Sequence, residues 1–432
     1  MTTPALSLAA VRRRYVGLTA LRWLPVGIST PVVVLLASSR GLTAADVGLV
    51  FAVHSVVALL LELPTGSLAD AIGHRPVLVL SVLLNAAGLL TMAAAHSVVA
   101  FAAAYALIGA GRALDSGPLE SWFVDAAHSV DAHADLTPGL SRASAADGAG
   151  LALGAIVGGL APTLAAGVGG ATLALPILLA TAVDVVYLLA ILALVVPLGS
   201  APEVSTRAAL RGGFREVPRV LTGTGAMVRG DVVLRRLLLI GVLSGVVLST
   251  LELLGPLRFA HLAGGPTRGT AVFGVVTAVS FGAAALGAAV AGPVRRALRG
   301  STGATTATLG VVAALAVAAT ALSPAVPPAA VAYSLFYLAA AAAIPLRQQL
   351  MHSRVPAERR STTISVVSFA VMVGGVAGSL LVPRLAEATS TTVGFLAAAG
   401  VLVVLALSSL RLPTPVTRGQ AAGAAQRSNA VG

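Results

Sequence analysis

Runs of about twenty apolar residues recur twelve times along this chain, separated by stretches that carry most of its charge. No other feature restricts the fold as strongly. A helix of that length matches the hydrocarbon core of a bilayer and satisfies every backbone N–H and C=O within itself. The runs lie at roughly 16–38, 45–68, 76–95, 97–122, 143–165, 171–197, 236–260, 270–293, 303–323, 327–351, 362–386 and 391–411. None alternates with period two over barrel-length segments, so membrane strands are not expected. Composition agrees: 57% of the 432 residues are hydrophobic and 10% charged, against roughly 45–50% and about 25% in soluble domains. Aromatic residues are only 4%, so the apolar surface is aliphatic and small, which suits close helix packing in lipid.

The net charge is +12 and every basic residue is arginine. With the N-terminus inside, the segments facing outward hold only Arg40, Arg258, Arg268 and Arg384, while Arg22, Arg112 and Arg347 fall within spans and the remaining arginines face inward. Arginine-rich short loops stay cytoplasmic. The bias therefore predicts both termini in the cytoplasm of a multi-pass protein of the plasma (inner) membrane. It also accounts for the positive charge without a nucleic-acid partner. The chain has no cysteine, which excludes disulfides and thiolate chemistry, and no clustered histidines or serine-elbow sequence point to a metal, cofactor or enzyme. Residues 1–197 and 237–411 read as two six-helix bundles, joined by a cytoplasmic loop at 198–236 and followed by a disordered tail at 412–432. The arginines of the central loop fit either an amphipathic helix on the anionic leaflet or a solvated linker.

The two halves look duplicated. Gly66 matches Gly292 at an offset of 226, and Pro118 of GPLESWFVD matches Pro345 of IPLRQQLMH at 227. Parallel six-span repeats place a substrate site near the midplane, between the halves. Between spans 2 and 3, Gly66-Ser-Leu-Ala-Asp70-Ala-Ile-Gly73-His74-Arg75 resembles the loop 2-3 signature of the major facilitator superfamily. With Leu61-Glu62-Leu-Pro64-Thr65 before it, and Arg359-Arg360-Ser361-Thr362-Thr363-Ile364-Ser365 opening span 11, the chain is similar to a bacterial branch related to drug efflux permeases. The resemblance implies an all-helical fold of twelve spans and a cytoplasmic latch in which Asp70 meets the start of span 11, with Asp125 as the partner of Arg75. His74 stands where the signature has arginine, so part of that positive charge depends on pH. Two further patterns depart from the family form. Span 4 reads Arg112-Ala-Leu-Asp115-Ser-Gly117, with the glycine one place late, and the antiporter glycine pattern of span 5 has Ala155 in place of its proline.

An ionisable side chain inside a span needs a compensating reason. Arg112 and Asp115, three residues apart, share a face of span 4 and can pair. Either Arg112 tunes a carboxylate during proton exchange, as the family resemblance implies, or the pair locks helix packing. Glu120 and its repeat mate Arg347 suggest an ion pair across the cavity; the alternative is that both reach for the interface. Glu62, before Pro64, either lines the cavity or caps loop amides. Asp184 and Glu252 have no partner in sequence, and either could carry a proton. Arg22 sits near enough to the inner end of span 1 to snorkel, His54 reads as a packing residue, and the glycines at 150, 154 and 158 read as a helix contact.

These readings converge on a monomeric secondary transporter working by alternating access, with protons as coupling ion and hydrophobic or amphiphilic small molecules as exported substrates. A metabolite carrier of the same fold, or a non-transporting receptor or scaffold, is the alternative.

Overall fold

The computed structural model describes residues 7–66, 68–166, 173–197, 230–355 and 360–413; side chains at 63–66, 69–70, 360–362 and 364 are not described. The expectations for the side chains of Asp70, Arg359 and Arg360, for most of the central loop and for the tail lie outside these residues.

Among the described residues, twelve helices are long and apolar enough to cross a membrane: Leu8–Ser39, Ala44–Glu62, His74–Ala94, Val98–Val130, Thr137–Leu164, Leu175–Leu194, Val232–Leu262, Pro266–Ala297, Thr302–Leu322, Val326–Arg354, Ser365–Ala388 and Thr391–Leu410. They are numbered here as spans 1 to 12. With an even number of spans, the two chain ends share one face, called the terminal side below. Serines start several spans, because a side-chain oxygen takes up an otherwise unpaired first-turn N–H: Ser97 Oγ accepts from Ala100, Ser301 Oγ from Ala304 and Ser390 Oγ from Val393. Within the spans, several hydroxyls turn back on their own helices, as Thr250 does on Val246 and Thr320 on Ala316, so that the buried hydroxyl has a partner.

Several boundaries differ from the expected ones, the start of span 5 at Thr137 among them, and three have a visible local cause. Span 1 begins at Leu8, since the helix runs straight through Arg12–Arg14 before the apolar run starts, and it breaks between Ser29 and Val33. Span 7 begins at Val232, capped by the Asp231 carboxylate on the Val233 and Leu234 amides, so the central loop ends earlier than 236. Span 4 is two helices, Val98–Asp115 and Pro118–Val130. Gly117 has φ +108°, open to glycine and costly for other residues, and Pro118 has no N–H to continue the ladder.

Each bundle is closed by a glycine seam. In the first, span 5 lies on span 1, and a methyl group at Gly150, Gly154 or Gly158 would overlap the carbonyl oxygens of Ala20, Leu24 and Ile28 respectively. In the second, span 11 lies on span 7 in the corresponding way, with Gly245, Gly374 and Gly378 against Val371, Val242 and Val246. The expected contact role of the span 5 glycines is therefore met, and it recurs in the second half.

Contacts between the bundles gather on the side away from the termini. Gly159 of span 5 meets Gly274 of span 8 backbone to backbone, Gly48 of span 2 meets Ser379 of span 11, and Leu253 of span 7 packs with Ile28, Val32 and Val33 of span 1. At that face the Ala45 amide donates to Glu387 Oε1 at 2.8 Å.

Candidate functional site

Below those contacts, a cavity of about 530 Å³ lies between the bundles and is lined from both. Its volume falls in the range of small-molecule sites, about 300–1,000 Å³. The two walls differ in chemistry.

The first bundle supplies ions. Arg22 of span 1 bonds Asp115 of span 4 through Nε to Oδ2, and its Nη2 donates to the Asp115 carbonyl at 3.0 Å. Arg112 Nη1 lies 4.0 Å from the same Oδ2. The side chains of Arg22 and Asp115 are 18% and 12% exposed, against 46% for Arg112, so the first two form a buried pair while Arg112 presents its charge to the cavity. Both guanidinium groups stand over the Trp23 ring, at 4.9 Å for Arg112 and 5.3 Å for Arg22, a favourable cation–π arrangement. Asn85 Nδ2 donates to Asp184 Oδ2 at 2.6 Å, giving the Asp184 carboxylate a hydrogen-bond partner within the wall. Half-buried Asp147 of span 5 lies outside the lining of this cavity, and its Oδ1 makes no hydrogen bond among the described residues.

The second bundle supplies rings and one acid. Tyr333 and Tyr337 of span 10 and Phe273 and Phe281 of span 8 line this wall, with ring centroids 5.4 Å apart for Tyr333–Tyr337, 5.9 Å for Phe273–Tyr333 and 6.5 Å for Phe281–Tyr337. Such spacings suit edge-to-face packing. Glu252 of span 7 is exposed to this cavity and makes no hydrogen bond or ion pair among the described residues. The first bundle adds rings of its own, Trp23, Phe51, Tyr105 and Tyr187, with the His54 ring edge-on to Tyr105 at 5.8 Å.

Six of the residues singled out in the sequence, Arg22, His54, Arg112, Asp115, Asp184 and Glu252, thus share one cavity. Asp115 takes Arg22 as its closest cation, so Arg22 is a buried partner and does not snorkel. Glu120 and Arg347 are not brought together. The break at Gly117 ends the helical register that would relate Glu120 to Arg112, and Glu120 is exposed on the short helix beyond it. Arg347 lines a different cavity. Half-buried Glu62 stands outside the wall of the first cavity and makes contacts of its own. On the terminal side, Asp125 pairs with His74 at 2.9 Å in place of Arg75. The Arg75 Nη2 instead donates to the Leu192 carbonyl at the end of span 6. That carbonyl has no partner of its own in the last turn of its helix, which explains the exchange.

A model of the Major Facilitator Superfamily matches residues 16–339. The chain belongs to that superfamily. No curated protein sequence matches it. Among solved structures of this fold, it is similar to the nucleoside transporter NupG, at 14% identity and TM-score 0.73, covering 93% of this chain and 98% of that one. A bacterial homolog of the human lysosomal transporter Spinster, inward-facing and occupied, gives 14% and 0.73 over 95% and 97%. The peptide transporter POT in complex with sulfate gives 15% and 0.69 over 93% of each chain. As in other carriers of the superfamily, the chain is an integral membrane protein whose ligand is a small molecule.

Sequence reasoning missed the aromatic wall, Asn85, Trp23 and Asp147. Asp147 could have been found, since it lies within an apolar run. The rings could not, since tyrosine and phenylalanine at helical spacing are ordinary packing residues.

Proposed function

We propose that this protein is a secondary active transporter that exports hydrophobic or amphiphilic small molecules across the plasma membrane in exchange for protons, alternating access by rocking residues 1–197 against 237–411. The arginine bias supports a cytoplasmic terminal side, and the inter-bundle contacts on the opposite side support a cavity that loads from the cytoplasm. Glu252 carries the reading. A carboxylate without a cation, set among aromatic rings at membrane depth, is costly when charged. A proton or the cationic end of a substrate relieves that cost in turn, and mutual exclusion of the two is what couples their movements. The rings offer stacking and cation–π surface without fixing one shape. The latch of the resemblance enters through His74 and Asp125, which tie the start of span 3 to span 4.

A carrier of one specific polar metabolite is the second reading, favoured by the cavity-exposed Arg112. Everted vesicles decide between them. A pH gradient is expected to drive uptake of ethidium or another amphiphilic cation, and Glu252→Gln to abolish that uptake while the purified variant keeps its melting temperature. Unchanged pH-driven uptake in the variant overturns the role of Glu252. Selective uptake of a polar anion, lost in Arg112→Gln, favours the metabolite carrier.

A further inference from the structure

A second cavity, of about 470 Å³, opens within the terminal-side half of the second bundle. Spans 9 and 12, which take no part in the first cavity, line this one. Its wall is apolar, formed by residues such as Leu237, Ile240, Leu309, Phe336 and Leu402. Leu248 and Tyr337 separate it from the first cavity, since both side chains face each space.

Arg347 is the charge in this wall. It stands seven residues before the end of span 10, about 10 Å along the helix. Its Nε makes one hydrogen bond, at 3.3 Å, to the Ala343 carbonyl of its own helix. No carboxylate lies within ion-pair distance of it among the described residues. Gln348 and His352, one and five residues further along the helix, line the same end. An arginine cannot shed its charge, and a guanidinium facing apolar walls at this depth calls for an anion. Deep span arginines elsewhere are met otherwise: Arg22 and Arg112 lie against Asp115, and Arg258 donates to the carbonyls of Thr320 and Ser323.

We propose that this cavity binds a single-chain amphiphilic anion taken from the leaflet on the terminal side, with its head group on Arg347 and its alkyl chain among the aliphatic residues of spans 7, 9 and 12. The guanidinium fork matches a carboxylate or a phosphate, and the volume suits a drug-sized ligand in place of a two-chain phospholipid. This site is separate from the exchange site at Glu252 and does not rest on it.

The test uses the full-length protein in nanodiscs of zwitterionic lipid, with the fluorescent fatty acid cis-parinarate as probe. Laurate and lauroyl lysophosphatidate are each expected to displace it at a concentration at least tenfold below that of dodecanol, and the better of the two identifies a free fatty acid or a lysophospholipid as the source. Arg347→Gln is expected to erase the preference for the anions and Arg347→Lys to keep part of it, with Glu252→Gln without effect. A diazirine fatty acid on the unmutated protein is expected to label spans 9 and 12, a readout that needs no variant to fold. Equal displacement by laurate and dodecanol overturns the proposal. So does loss of binding in Glu252→Gln, or labelling confined to spans 1, 4 and 8.

Discussion

The two bundles share their packing and differ in what they show to the cavity. Spans 1 and 5 close on glycines 150, 154 and 158, and spans 7 and 11 close on 245, 374 and 378 by the same backbone contact. Yet the first bundle faces the cavity with Arg22, Arg112, Asp115 and Asp184 set among its rings, while the second offers aromatic rings with Glu252 as its one charged side chain. Backbone packing tolerates little change, because any side chain in the seam displaces a whole helix. A cavity wall has no such constraint, so duplicated halves can keep one and diverge in the other.

The largest expected effect follows from the ionic wall. Asp115→Asn leaves the Arg22 guanidinium buried without its counter-charge, and breaking such a pair costs about 3–5 kcal/mol. Thermal denaturation in detergent is expected to show a large drop, restored in part by adding Arg22→Gln, whereas Glu252→Gln in the opposite wall is expected to leave the melting temperature unchanged. Equal destabilisation by Asp115→Asn and Glu252→Gln breaks the contrast between the walls. A smaller effect tests the seams. Gly158→Ala and Gly374→Ala each force a methyl group onto a facing carbonyl, an overpacking penalty of about 1–3 kcal/mol, and similar losses in the two variants are expected if the seams are equivalent. The smallest concerns the terminal side of the first bundle, where the Asp125 side chain is 57% exposed. Asp125→Asn is expected to cost less than about 1 kcal/mol, so a larger drop in melting temperature would make the His74 contact a structural anchor.

Much of the fold was legible because bilayer thickness sets helix length, and twelve apolar runs leave few alternatives. The errors arose where local chemistry overrode hydropathy. Arg12–Arg14 looked like the flank of span 1 and are part of its helix, while the apolar run through span 4 masked the Gly117-Pro118 break. In the site, cost was the useful signal: charges at membrane depth are expensive, and five of those picked on that ground meet in one cavity. Their partners were not legible. Arg22 and Asp115 are separated by 93 residues, and span order alone does not say which helix faces come together. The same limit explains Glu120 and Arg347, which repeat symmetry offered as a pair and which the structure keeps apart.

The meeting of Gly159 with Gly274 has a mechanical consequence. Two helices touching through bare backbone have no interlocking rotamers to release, so one can roll on the other like a journal in a plain bearing. The joint lies near one end of its spans: from Gly159 to Thr137, where span 5 begins, is roughly 33 Å of helix. That length is a lever arm. A tilt of about 10° at the joint would swing the far end by roughly 6 Å for the same helix rise, wide enough to admit a molecule while the contact that produced the swing has scarcely moved.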